Sequence, residues 1–120
     1  MRRRYRPEDQ IQRAVFDHFE TRSAPDVFAF HVPMGGKRRP IEAAILKGLG
    51  AKAGVPDIIA IHHGRCYALE IKTENGRPTE TQLAAIAALD RAGAYTCIAY
   101  GLDRALAVLE QWGLLKGKVA

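Results

Sequence analysis

The stretch from Asp57 to Lys72 leaves this chain little freedom in local structure. Asp57-Ile58-Ile59-Ala60-Ile61-His62 and Cys66-Tyr67-Ala68-Leu69-Glu70-Ile71-Lys72 are both rich in apolar and strand-favouring residues, and His63-Gly64-Arg65 interrupts them. That pattern predicts two strands joined by a tight turn. With a two-residue turn on His63-Gly64, His62 pairs with Arg65, and the register that follows sets Asp57 opposite Glu70. Cross-strand Cβ atoms lie about 4.5–5.5 Å apart, and like charges at that spacing repel. Strand side chains alternate, so Lys72 projects to the same face as Glu70 and brings a positive charge into the same volume. The hairpin therefore gathers two carboxylates and one amine.

Ile59, Ile61 and Ala68 share the face of the two acids, while Ile58, Tyr67, Leu69 and Ile71 fill the other. Antiparallel strands with one solvated side carry a polar face instead, so both faces of this hairpin are expected to be covered. A plain ion pair of Lys72 with one acid on a solvated face is the bland alternative. Acids on a covered face need partners, and a hard divalent cation with oxygen ligands can supply one beside a phosphodiester.

Two helices bring further candidates. Glu8, Ile11, Gln12, Val15 and Phe19 form one stripe, which places Glu8 on the inward face. Asp9 lies on another face one turn before Arg13, where a surface pair accounts for it. An acid in the first turn also complements the helix dipole, but that does not explain the inward face. Thr79-Glu80-Thr81-Gln82 fits a capping box, in which the Gln82 side chain returns to the Thr79 amide.

The formal net charge of +5 suggests a polyanionic partner. Arg2, Arg3, Arg4 and Arg6 cluster ahead of the first helix, and Lys37, Arg38 and Arg39 follow Gly35-Gly36. The second cluster, with Gly35, Gly36 and the later Lys52, is the candidate DNA-contact surface, making sequence-independent phosphate contacts. The first reads equally as a solubilising tail.

Periodicity predicts helix from Pro7 to about Glu20, strand from Val27 to Val32, helix around Ile41 to Leu49, then the hairpin. Helix from Thr79 to Ala92, strand from Tyr95 to Tyr100 and helix from about Asp103 to Trp112 complete the order. The expected fold is α/β, a mixed central sheet flanked by helices in the order α-β-α-β-β-α-β-α. With 120 residues and 48% apolar content, residues 1–120 are expected to form one domain, with 1–6 as a flexible basic tail. Cys66 and Cys97 sit in apolar strand-like runs without zinc spacing, as reduced core residues. No apolar run approaches a membrane span, and the expectation is a soluble cytoplasmic protein with no membrane partner.

Two glycine motifs imply no nucleotide cofactor. Gly48-Leu49-Gly50-Ala51-Lys52-Ala53-Gly54 closes a helix instead of following a strand, and its third glycine is one residue late. Gly36-Lys37 lacks the leading glycine of a phosphate loop, where His31 stands, and Arg38 replaces Ser or Thr. His31, His62 and His63 lack ligand spacing and read as structural or surface residues, with His31 set apart because it abuts the Gly-rich loop. Trp112-Gly113-Leu114-Leu115 looks exposed and is expected either to form an interface or to cap the core.

Asp57 followed by Glu70-Ile71-Lys72 resembles the core signature of the PD-(D/E)xK nuclease superfamily. The preceding Gly54-Val55-Pro56, the acidic first helix, the Gly-rich basic middle and the T-x-x-Q helix start extend the likeness. Over nearly its full length the chain resembles a small stand-alone VRR-NUC domain, the virus-type replication-repair nuclease module. The resemblance implies a restriction-endonuclease-like core and phosphodiester hydrolysis with Mg²⁺ or Mn²⁺, leaving a 5′-phosphate and a 3′-hydroxyl. It assigns Asp57, Glu70, the Ile71 main-chain carbonyl and Glu8 to the metal, with Gln12 a weaker candidate. It assigns Lys72 to the attacking water and transition state, and Gln82 to water or backbone phosphate.

Small stand-alone members look like dimeric, junction-resolving enzymes, so the implied partners are branched duplex DNA and a second copy of the chain. A nucleic-acid-binding module without turnover stays open as an alternative, although the presence of Asp57, Glu70 and Lys72 together argues against it. A metal-binding accessory subunit of a replication or repair assembly also stays open.

Overall fold

The computed structural model describes residues 7–33 and 39–117. The chain runs α1 (Pro7–Arg22), β1 (Val27–His31), α2 (Pro40–Gly48), β2 (Ile58–His62), β3 (Arg65–Lys72), α3 (Glu80–Arg91), β4 (Tyr95–Tyr100) and α4 (Leu102–Gln111). The strands form one sheet in the order β1-β2-β3-β4. The first three are antiparallel, and β4 joins β3 in parallel through the α3 crossover. Both the α/β order and the mixed sheet match the sequence expectation.

The hairpin turn sets the register. His63 and Gly64 have φ of 50° and 80°, the pair of left-handed residues that a type I′ turn requires. His62 pairs with Arg65, and the ladder continues to Ile58 opposite Leu69. Asp57, one residue before β2, thus stands at the level of Glu70.

Ile58, Ala60, Tyr67, Leu69 and Ile71 point to one side of the sheet. There they pack with Val15 and Phe19 of α1 and with Ala105, Leu106 and Leu109 of α4. Each of the larger side chains among them contributes about 1.5–3 kcal/mol of burial. The 112–115 end caps this core, which settles its two alternatives. Leu114 and Leu115 are buried and Trp112 stacks obliquely on Tyr67, 5.2 Å between centroids. The Ala24 amide donates to the Leu114 carbonyl at 2.9 Å and the Lys116 amide to the Arg22 carbonyl at 2.8 Å, tying this end to the exit of α1.

The other face is covered unevenly. Ile59, Ala68, Glu70 and Lys72 are buried, but Ile61 is 40% exposed, so coverage fails toward the hairpin turn. Phe28 and Phe30 of β1 pair with Ile61 and Ile59 on that same face, and Phe28 is 69% exposed. The α2 helix buries no residue, and Ile41, Ile45 and Leu49 form an exposed apolar stripe at i, i+4, i+8.

Candidate active site

Asp57, Glu70 and Lys72 converge where β2 begins and β3 ends. The Asp57 carbonyl accepts from the Val32 amide at 2.9 Å and from His31 Nδ1 at 2.8 Å. A carbonyl only accepts, so His31 carries its proton on Nδ1. Asp57 Oδ2 accepts from the Ile71 amide at 3.0 Å. The N–H and C=O of one strand residue point to the same side, so the Ile71 carbonyl also faces Asp57. The Lys72 carbonyl points the other way, accepting from the Gly101 amide after β4.

Glu70 is 1% exposed and Lys72 6%. Lys72 Nζ lies 3.3 Å from Glu70 Oε2 and 4.0 Å from Glu8 Oε2. Gln82 Nε2 donates to the same Glu70 oxygen at 3.2 Å. Burial, and after it the charge of Asp57, push the Glu70 carboxyl up to about 7, with Lys72 opposing the shift and Glu8 adding a smaller upward push. Proximity of like charges and poor solvation act together here.

Gln82 holds two positions at once. Its Oε1 accepts from the Thr79 amide at 2.9 Å and its own amide donates to Thr79 Oγ1 at 3.1 Å, completing the capping box. Its remaining Nε2 reaches Glu70, so the cap aims the side chain into the site. Gly54 explains how the Asp57 loop can lie against this helix. With φ of 80°, it packs so closely on α3 that a Cβ would sit 2.5 Å from the Thr81 carbonyl oxygen; only glycine fits both demands.

The other candidates are dispersed. Glu8 meets the site through Lys72, and Gln12, one turn on, is half-buried on the α1 stripe. Among the described residues, no three His, Cys, Asp or Glu side chains gather closely enough to hold an ion by themselves. Arg39 caps the start of α2 and forms an exposed pair with Glu42 at 2.8 Å, a contact weak enough to exchange for phosphate. Lys52 is exposed on the loop before β2. Gly35, Gly36, Lys37 and Arg38, like the Arg2–Arg6 cluster, lie outside the described residues.

The sequence reading missed the bond from His31 to Asp57, although the position of His31 beside the Gly-rich loop hinted at it. It also missed Arg77 and Tyr100, which line an open groove beside the end of β3.

Comparison with solved structures places this arrangement. One described as a VRR_NUC domain protein aligns at 28% identity with a TM-score of 0.75, covering 92% of this chain and 90% of that one. Another, described as a VRR_NUC domain, aligns at 19% identity with a TM-score of 0.60, covering 88% and 96%, and bears on the fold alone. No family model matches the chain, and no curated protein does. The four-stranded mixed sheet flanked by helices matches the fold of the first of these solved structures, a VRR-NUC nuclease fold. In fold the chain is similar to VRR-NUC domains.

Proposed function

We propose that the protein is a divalent-metal-dependent endonuclease that cuts branched DNA. The observation that carries this reading is the burial of Glu70 beside Lys72, with Asp57 at the adjoining strand end. A plain surface ion pair would not bury both charges, and burial of an ion pair alone is weak evidence of stabilisation.

The residues fit a hard cation. The donors are oxygens, and the poor solvation and the repulsion from Asp57 that raise Glu70 are what a dication would relieve. Mg²⁺ commonly takes one or two carboxylates and completes its shell with water and substrate phosphate, so a site without a third gathered acid suffices. Asp57, Glu70 and the Ile71 carbonyl would hold Mg²⁺ or Mn²⁺, with Glu8 on the far side of Lys72, and the ion would offset charge developing on the scissile phosphate.

The Lys72 ammonium, a donor only, orients the attacking water and faces the pentavalent transition state. Gln82 keeps Glu70 from turning away, and His31 fixes the Asp57 backbone. Hydrolysis leaves a 5′-phosphate and a 3′-hydroxyl. Lys52, Arg39, and the basic residues at 37 and 38 supply phosphate contacts without reading bases.

The protein acts as a homodimer, a reading supported by the exposed Phe28, Phe30 and Ile61 on the sheet face and by the α2 stripe. The free thiols of Cys66 and Cys97 suit a reducing cytoplasm.

Cleavage of labelled four-way-junction, flap, single-stranded and linear duplex DNA with Mg²⁺, Mn²⁺ or EDTA tests the proposal. Metal-dependent products that favour branched substrates and vanish in Lys72→Ala are expected. Binding without cleavage of any substrate would instead favour the non-catalytic module.

A further inference from the structure

Beyond the last residue of β3 the chain opens a groove of about 530 Å³ lined by Glu74, Asn75, Gly76, Arg77, Pro78 and Tyr100. Tyr100 is the register partner of Lys72 on β4. Partners across parallel strands project to the same face, about 4.8 Å apart, so the Tyr100 ring flanks the lysine of the proposed site. Tyr100 is 41% exposed. The opposite wall is stiff: the Gly76 amide donates to the Thr73 carbonyl at 2.9 Å, closing a turn, and Pro78 and the Thr79 cap follow at once. Arg77 is presented from this short rigid segment and is exposed. The Glu74 side chain lies against Gly101, where a Cβ would sit 3.7–3.8 Å from it, and its negative charge makes that side unfavourable for phosphate.

We propose that this groove seats an unpaired nucleotide of the strand being cut, with Tyr100 stacked on its base and Arg77 holding its phosphate. The inference rests on the nuclease reading and adds its substrate feature, an unstacked base next to the scissile bond. A base inside a duplex has both faces occupied by neighbours, so only an unpaired or displaced one offers a face to the ring. The guanidinium is suited to phosphate by its fixed fork of donors.

Binding of a short fluorescein-labelled oligothymidine in EDTA, measured by fluorescence polarisation, tests the groove without hydrolysis. Tyr100→Leu is expected to weaken binding about 5- to 100-fold, Tyr100→Phe to change it less than about twofold, and Arg77→Gln to reduce the salt slope by about one phosphate contact. Equal binding by wild type, Tyr100→Leu and Arg77→Gln would overturn the proposal, as would a Phe variant no better than Leu. Thermal melts of each variant separate loss of binding from loss of fold, and Arg77→Gln keeps the test decisive if Tyr100→Leu does not fold. A cleavage assay on matched substrates with and without one unpaired nucleotide separates the two readings. No cleavage with the binding pattern intact removes the nuclease reading alone, whereas unchanged cleavage preference in Tyr100→Leu removes the groove.

Discussion

Ile58, Leu69 and Ile71 give one face of the hairpin to an apolar core, whereas Glu70 and Lys72, their neighbours in the chain, are buried as deeply on the other face. The first face is closed by α1, α4 and the 112–115 end, and every group there gains from leaving water. On the second, two charges are desolvated and only partly compensated by Gln82 and by each other. The same strand backbone thus serves two purposes, because alternation sends each consecutive side chain to a different environment. A face that stores unfavourable electrostatics can be tolerated here because its reverse is an ordinary core.

Replacing one residue on each face breaks the comparison most directly. Leu69→Ala should lower stability by about 2–5 kcal/mol, read from the urea midpoint, while the surviving folded fraction retains its specific activity. A large fall in turnover per folded molecule would show that the core face also shapes the chemistry. Lys72→Met should cut kcat per folded molecule by about 10²–10³; near-normal turnover would remove Lys72 from the proposed mechanism.

A finer contrast lies within one helix cap. Thr79→Ala and Gln82→Ala each disrupt the capping box and should each cost about 0.5–2 kcal/mol in thermal or urea unfolding. Only Gln82 touches Glu70, so only Gln82→Ala should also lower kcat, and equal activities would reduce Gln82 to a cap.

The buried acid also makes stability in EDTA depend on pH. The Glu70 carboxyl is raised from 4.5 to about 7, so between those values the folded state holds a proton that the unfolded chain has released. Its contribution is fully present below the unfolded value and lost as pH rises through about 7. Glu70→Gln mimics the protonated group at every pH, so its Tm relative to wild type should increase from pH 5 to pH 8. A difference that stays flat across that range would mean that Glu70 is not desolvated as described.

Much of this was legible beforehand. The β2–β3 register followed from His63-Gly64, because two left-handed residues fit only one short hairpin geometry, and the shared face of Glu70 and Lys72 followed from alternation. The capping box was readable because Thr79 and Gln82 lie one turn apart. Gln82's second bond was not readable, since it depends on where the start of α3 meets the end of β3. Leu114 and Leu115 looked exposed beside Gly113, but the Ser23–Leu115 bridge draws them over the core.

The sequence by itself determined the elements, the hairpin register and the meeting of two carboxylates with one amine, because these obey periods of two and 3.6 residues within a few turns of chain. Tertiary structure alone decided that His31 holds the Asp57 carbonyl, that Gly54 lies against Thr81, and that Tyr100 stands beside Lys72. Those contacts join residues far apart in the chain, and their geometry is set by how whole elements pack, which no local pattern records.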